Sequence, residues 1–154
     1  AIATLQGDTQ VQGLEAGIVG RVNSAWQIMA GYTLLDGKIN KSLEKSVTIF
    51  AQGKTLPNTP RHNVSIWTTY SFLNDWEAGG GILHSSARYL NNFETAQSEG
   101  YTVLNATLAY KQKDYDIRVN LQNLSDTKYF EVASGGRATP AKGRAALVSV
   151  NYRF

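Results

Sequence analysis

Read from its end, the chain alternates. Phe154, Tyr152, Val150, Val148 and Ala146 form an apolar, aromatic-tipped set, and Arg153, Asn151, Ser149 and Leu147 a mainly polar one. Successive side chains of a β-strand leave opposite faces, so this period predicts a strand that finishes on the terminal aromatic. The same period recurs upstream. Gln12 to Val22 places Leu14, Ala16 and Ile18 against Gly13, Glu15, Gly17 and Arg21, and after a turn at Asn23 and Ser24 it resumes as Trp26, Ile28, Ala30, Tyr32 and Leu34. Strand, short turn, strand is a hairpin. Val64, Ile66, Thr68, Tyr70 and Phe72, a turn at Asn74 and Asp75, then Trp76, Ala78, Gly80 and Ile82 predict a second, with Trp67 the exception on its polar face. Thr102, Leu104, Ala106, Leu108 and Tyr110, a turn at Lys113 and Asp114, then Tyr115, Ile117, Val119 and Leu121 predict a third.

Seven strands result, joined alternately by tight turns and by polar segments over 36–59, 87–99 and 125–143, a rhythm that sandwiches do not keep systematically. The apolar set carries no Asp, Glu, Lys or Arg in any of the seven, whereas the other holds Glu15, Arg21, Glu77, Asp116, Arg118 and Arg153. No amphipathic helix is available to cover an apolar sheet. Trp26, Tyr70, Phe72, Trp76, Tyr110, Tyr115, Tyr152 and Phe154 all belong to the apolar set and gather at the short-turn end, as an interfacial aromatic girdle would. The fold expected is therefore an all-β, antiparallel transmembrane β-barrel segment, with strands of the ~9–11 residues that span a bilayer. Seven is an odd number, and an open strand edge in lipid leaves backbone groups unsatisfied. Either residues 1–10 supply a stunted eighth strand, or the sequence is the tail of a longer protein.

Composition narrows the chemistry. Of the 154 residues, 42% are hydrophobic and 18% charged, there are 14 Gly and 3 Pro, and the aromatics outnumber the acidic residues. With no cysteine, disulfides and thiolate metal sites are excluded. The net charge of +3 is dispersed without a basic run, which argues against nucleic acid as a partner. No apolar run reaches the ~18 residues of a membrane-spanning helix. The amino terminus lacks the charged and apolar regions of a signal peptide. His62 and His84 read as strand-end residues, since a metal site needs three or four convergent ligands. Gly79, Gly80 and Gly81 precede neither a helix nor a Lys and so form no phosphate loop; they suit a strand bend or a close backbone approach. No G-x-S-x-G elbow is present, and the chain is expected not to be an enzyme and to hold no cofactor or metal of its own.

Several segments, taken in order, resemble one family. G-L-E-A-G, A-W-Q-I-M-A-G-Y-T-L-L-D, L-P-N-T-P-R-H-N-V-S-I-W-T-T-Y, Y-T-V-L-N-A-T-L-A-Y, V-N-L-Q-N-L-S-D-T-K-Y and the final V-N-Y-R-F look like the carboxy-terminal part of TonB-dependent outer-membrane siderophore receptors. The likeness runs from about Val11 to Phe154; Asn123 to Tyr129 is its most telling segment, with Ser125 where an aromatic is common. It implies a 22-stranded barrel closed by an amino-terminal plug, of which this chain, residues 1–154, is the last seven strands, with the plug and roughly fifteen earlier strands absent. It further implies energy-coupled uptake of ferric siderophores in the bacterial outer membrane. The partners would be that ligand, outer-membrane lipid, TonB acting through the missing amino-terminal part, and the barrel assembly machinery, with iron carried only within the ligand.

Loops carry function on a β scaffold. Aromatic rings pack on the organic shell of a ferric siderophore and cationic groups meet its residual charge, which makes Phe50, Tyr89, Phe93, Tyr129, Phe130 and Arg137 the ligand candidates. Each has a plainer reading as a loop-packing residue. Val148, Val150, Tyr152 and Phe154 are, by the same resemblance, the signal read by the assembly machinery; the plainer reading of Phe154 is an interfacial anchor. The lumen charges either pair across strands or meet the plug. Three other readings stay open: a small outer-membrane barrel with a structural or adhesion role, an outer-membrane hydrolase, and a soluble β-sandwich that binds carbohydrate.

Overall fold

The computed structural model describes residues 7–134 and 137–154, with side chains described over 7–131 and 138–154. Its main body is one antiparallel sheet of seven strands: β1 (Asp8–Arg21), β2 (Trp26–Lys41), β5 (His62–Phe72), β6 (Trp76–Ser85), β9 (Tyr101–Lys111), β10 (Tyr115–Gln122) and β13 (Ala145–Tyr152). Three short hairpins stand in the long connections: β3 (Lys45–Ser46) with β4 (Ile49–Phe50), β7 (Arg88–Tyr89) with β8 (Gln97–Ser98), and β11 (Phe130–Ser134) with β12 (Arg137–Pro140). Each main strand pairs only with its neighbours in the chain. Among the described residues the sheet stays open, with β1 and β13 each having a single partner.

Register fixes the faces. Directly opposed residues share a face, and the ladder runs Ile18–Ala30–Ile66–Ile82–Leu104 across five strands. At the short-turn end it runs Trp26–Tyr70 and Phe72–Trp76–Tyr110–Ile117–Val150, with Tyr115 opposite Tyr152. The expected aromatic girdle is one band. Trp76 lies 4.9 Å from Tyr110 and Tyr152 lies 5.3 Å from Phe154, centroid to centroid. The indole of Trp26 donates to Thr68 Oγ1 at 2.7 Å, so its polar atom is satisfied within the band.

Among the described residues nothing packs on this face. Leu14, Ile18, Val148 and Val150 are each more than 60% exposed, and no large side chain among the described residues is fully buried. A soluble sheet of this size would bury such a face in a core. Eleven residues of β5, at ~3.3 Å each and inclined by ~45°, cover about 25 Å, the height of an outer-membrane apolar band.

Several boundaries differ from those expected. The first strand starts at Asp8 rather than Gln12, so Asp8–Gln10 continue β1 and cannot form an eighth strand; residues 1–6 lie outside the described part. The second strand runs to Lys41, seven residues past Leu34, into the segment read as loop 36–59. Periodicity fails there because the medium changes: Asp36 and Lys38, which pair at 3.3 Å, continue the apolar parity above the band, so the absence of charge on that face holds only within it. Ile39 and Ala51, both buried, pin the returning loop to this extension, with Ile39 N donating to Lys54 O and Gly53 N to Ile39 O. The second tight turn spans Leu73 to Asp75, with Leu73 and Asn74 at positive φ, one residue earlier than expected.

Candidate functional site

The polar face gives its glycines a clear reason. Gly79 and Gly81 stand opposite Thr69 and Trp67. A Cβ on Gly81 would come within 2.4 Å of both Ile66 O and the Trp67 ring, so the indole lies across a position that only glycine can occupy. Around it the row Val19–Met29–Trp67–Gly81–Asn105 crosses five strands. Two hollows open on this side. One of about 420 Å³ lies over Gly31, Ser65 and Gly81, and one of about 380 Å³ lies against Asn105, Asn120 and Tyr129; Trp67 and Leu83 border both.

Nearer the short turns the same face is ion-paired. Glu77 meets Lys111 at 2.6 Å and Arg118 at 3.3 Å, and Asp116 meets Arg153 at 2.7 Å. Arg153 also donates to the carbonyls of Gln112 and Lys113, which ties the terminal strand to the last turn. Most of the expected lumen charges therefore pair across strands. Glu15 and Arg21, on the open edge strand β1, make no ion pair among the described residues.

At the opposite end the long connections are laced into a crown. Arg88, only 8% exposed, donates to the carbonyls of Phe130 and Glu131 at 3.1 and 3.2 Å, joining the second loop to the third. Glu94 joins the first loop to the second: its carboxylate accepts from Lys54 Nζ at 3.0 Å and from Thr55 N at 2.9 Å. Asn58 N donates to Tyr89 O, and Asn92 Nδ2 to Glu44 Oε2. The backbone bond from Thr55, with help from Lys54, holds the Glu94 carboxyl below the ordinary carboxylate range against the opposing effect of burial. The sign follows. A depressed folded pKa contributes order above the unfolded value, near 4.5, and that contribution is lost as pH falls through the depressed one. Limited proteolysis of the 86–100 loop should accelerate as pH falls from above 4.5 through the depressed value of Glu94, and Glu94→Gln should give fast cleavage at every pH.

The third loop is closed at its base by Asn123, which is 3% exposed and has φ 50°. Its Nδ2 donates to the carbonyls of Thr127 and Lys142, its Oδ1 accepts from Thr127 N, and its own N donates to Asn105 Oδ1. Asp126 Oδ1 accepts from Arg144 N across the same neck. The segment Asn123 to Tyr129 is thus a clasp.

The six loop candidates are dispersed around the crown. Phe50 in β4 and Phe130 at the start of β11 are exposed, while Tyr89 in β7 and Phe93 are half-buried. Tyr129 stacks at 4.0 Å on Tyr101, and burial pushes its phenol above the ordinary range. Arg137 opens β12, and its side chain lies outside the described residues. The aromatic contact the structure forms is with Tyr101, outside the six. Arg88, Glu94 and Asn123 were not singled out as site residues; for Asn123 the signal was its place in N-L-S-D-T-K-Y. His62 and His84 do stand at strand ends, hydrogen-bonded through Nδ1 to Tyr32 OH and Thr102 Oγ1, both at 2.9 Å.

One unpacked apolar face with an aromatic girdle, a polar ion-paired reverse face, tight turns at one end and a laced crown at the other define a wall of a membrane β-barrel. The barrel family described as "TonB dependent receptor-like, beta-barrel" matches residues 2–124, and the chain belongs to it. It is 32% identical to the probable TonB-dependent siderophore receptor PiuA of Acinetobacter baumannii, over 96% of this chain and 21% of that protein. It is also 32% identical to the catecholate siderophore receptor Fiu of Escherichia coli K12, over 96% and 20%. The crystal structure of PiuA superposes with a TM-score of 0.88 over 95% of this chain and 22% of that one. The chain thus spans about a fifth of the length of these relatives. They are receptors, and the family's barrels are those of the outer membrane.

Proposed function

We propose that this chain serves as the carboxy-terminal seven strands of an outer-membrane receptor that takes up ferric siderophores in an energy-coupled manner, with a plug and earlier strands supplied by the rest of a longer polypeptide. The observation that carries the reading is the open sheet: among the described residues β1 and β13 each offer an unpaired edge flanked by an exposed apolar face. In lipid such edges cost several kcal/mol per unsatisfied backbone group, so further strands are needed to close them. Receptors of similar sequence are named for siderophores. A small self-sufficient barrel is disfavoured because three of the ten residues that would make its eighth strand, Asp8–Gln10, belong to β1.

The strands form wall, the crown receives the ferric siderophore, and TonB acts through the amino-terminal part. Phe50, Tyr89, Phe93, Tyr129, Phe130 and Arg137 remain the crown residues proposed for ligand contact. In the whole receptor, deleting 87–99 or 125–143 is expected to lower ferric-siderophore affinity at least about tenfold, which is ~1.4 kcal/mol. Unchanged affinity in a titration would end the assignment of these loops. Val148, Val150, Tyr152 and Phe154 line the exposed face of the last strand, where assembly machinery could read them. Removing Phe154 should reduce the heat-modifiable, folded receptor in outer membranes; normal assembly would leave Phe154 an interfacial anchor alone.

A further inference from the structure

We propose that Arg88 is a positioning residue for ligand binding: from the second loop it sets the face of the third loop, around Tyr129 and Phe130, that meets a ferric siderophore. This rests on the receptor reading above. Its setting is rigid. Arg88 opens β7 opposite Ser98 of β8, and the two are 8% and 6% exposed. A Cβ on Gly100 would come within 2.9 Å of both Ser85 O and Ala87 N, so the returning stem of the loop lies directly on the departing one. The guanidinium is therefore projected from a closed neck, not from a free loop tip.

The third loop lies across both stems of that neck. Arg88 Nη2 donates to the carbonyls of Phe130 and Glu131, and these are the only hydrogen bonds between 86–100 and 123–143 among the described residues. On the other stem, Tyr101 stacks on Tyr129 at 4.0 Å and Thr102 O accepts from Thr127 Oγ1 at 3.0 Å. Tyr129 and Phe130, two of the six ligand candidates, sit between these holds. In a regular strand successive carbonyls point to opposite sides; here two of them meet one nitrogen. That is where the β11–β12 register shifts, between Phe130 and Val132. A bulge re-aims the side chain beside it, and Arg88 fastens this one. Phe130 is 45% exposed, so the fastened backbone presents an open ring.

The tie uses a costly group. A guanidinium is always charged, and burying a charge is unfavourable unless a counter-charge offsets it. No carboxylate stands within 4.0 Å of Arg88 among the described residues, and the stretches 1–6 and 132–137 contain no Asp or Glu. A neutral side chain would fill the place at lower cost. What arginine adds is a planar, preorganised donor that fixes the direction of two carbonyls at once.

The test uses the whole receptor, folded in detergent or vesicles and titrated with a ferric tris-catecholate and a ferric tris-hydroxamate. Arg88→Met should lower affinity for the probe that the wild type binds about tenfold, and Arg88→Lys, which keeps the charge but presents one amine, about threefold. Because Arg88 acts through the third loop, adding Arg88→Met to Tyr129→Ala/Phe130→Ala should cost less than about twofold further. Amide exchange over 127–134 in the ligand-free receptor should rise at least about fivefold in Arg88→Met, with the amides of β6 unchanged. Unaltered affinity in Arg88→Met would overturn the proposal. So would a full tenfold loss, to within about twofold, on top of the double substitution, which makes Arg88 an independent contact. A Tyr129→Ala/Phe130→Ala receptor that binds as the wild type does would overturn it as well. Should Arg88→Met fail to fold, Arg88→Lys carries the same comparisons with its smaller loss. If the wild-type receptor binds neither probe, the receptor reading itself falls; binding that ignores Arg88 removes the positioning role alone.

Discussion

Replacing Asn123 with Ala is expected to destabilise the receptor by about 2–4 kcal/mol and to release the third loop. The side chain makes three hydrogen bonds in a buried setting, two donated to the carbonyls of Thr127 and Lys142 and one accepted from Thr127 N. Each such bond is worth roughly 0.5–1.5 kcal/mol net, and truncation leaves three part-buried backbone groups without this partner. The backbone adds to this, because φ of 50° suits Asn far better than Ala. Asn123→Asp separates the two contributions: it keeps a residue that tolerates this conformation and the Oδ acceptor, but loses both donated bonds. Urea unfolding of the folded receptor in lipid should show the shift, and proteolysis should cut first between 124 and 143. An Asn123→Ala receptor as stable as wild type would mean that the neck is held without the clasp.

The clasp also shows how far local pattern reaches. Alternation located all seven main strands, because each lies between two different media and the chain must change character at every residue. It failed where the medium did not alternate. Above the apolar band Asp36, Lys38 and Asn40 take the face that is apolar lower down β2, while the returning loop covers Gly37 and Ile39 on the other, so the extension carries no strand period and was legible only as polar loop. The short hairpins β3–β4, β7–β8 and β11–β12 were invisible for the same reason. The crown's ties depend on contacts between residues roughly forty positions apart, such as Lys54 with Glu94 and Arg88 with Phe130, which no local period encodes. Trp67 was visible as an anomaly on its face. Its reason, a glycine directly across the ladder, required the register.

Register also yields the other large prediction, that two neighbouring positions respond oppositely to the same substitution. Ile66 lies near the middle of β5 on the apolar face, between Ala30 and Ile82, whereas Ser65 points to the reverse face between Gly31 and Leu83. If the apolar face meets lipid, Ile66→Arg places a guanidinium near the bilayer centre, at about 2–4 kcal/mol. Ser65→Arg places the same group in a polar lumen, where the cost should stay below about 1 kcal/mol. Unfolding free energies of both receptors, measured in vesicles of one lipid, give the comparison directly. The difference should also shrink for pairs closer to the girdle, because the penalty for charge falls toward the interface. Equal losses, or a larger one for Ser65→Arg, would invert the assignment of the faces.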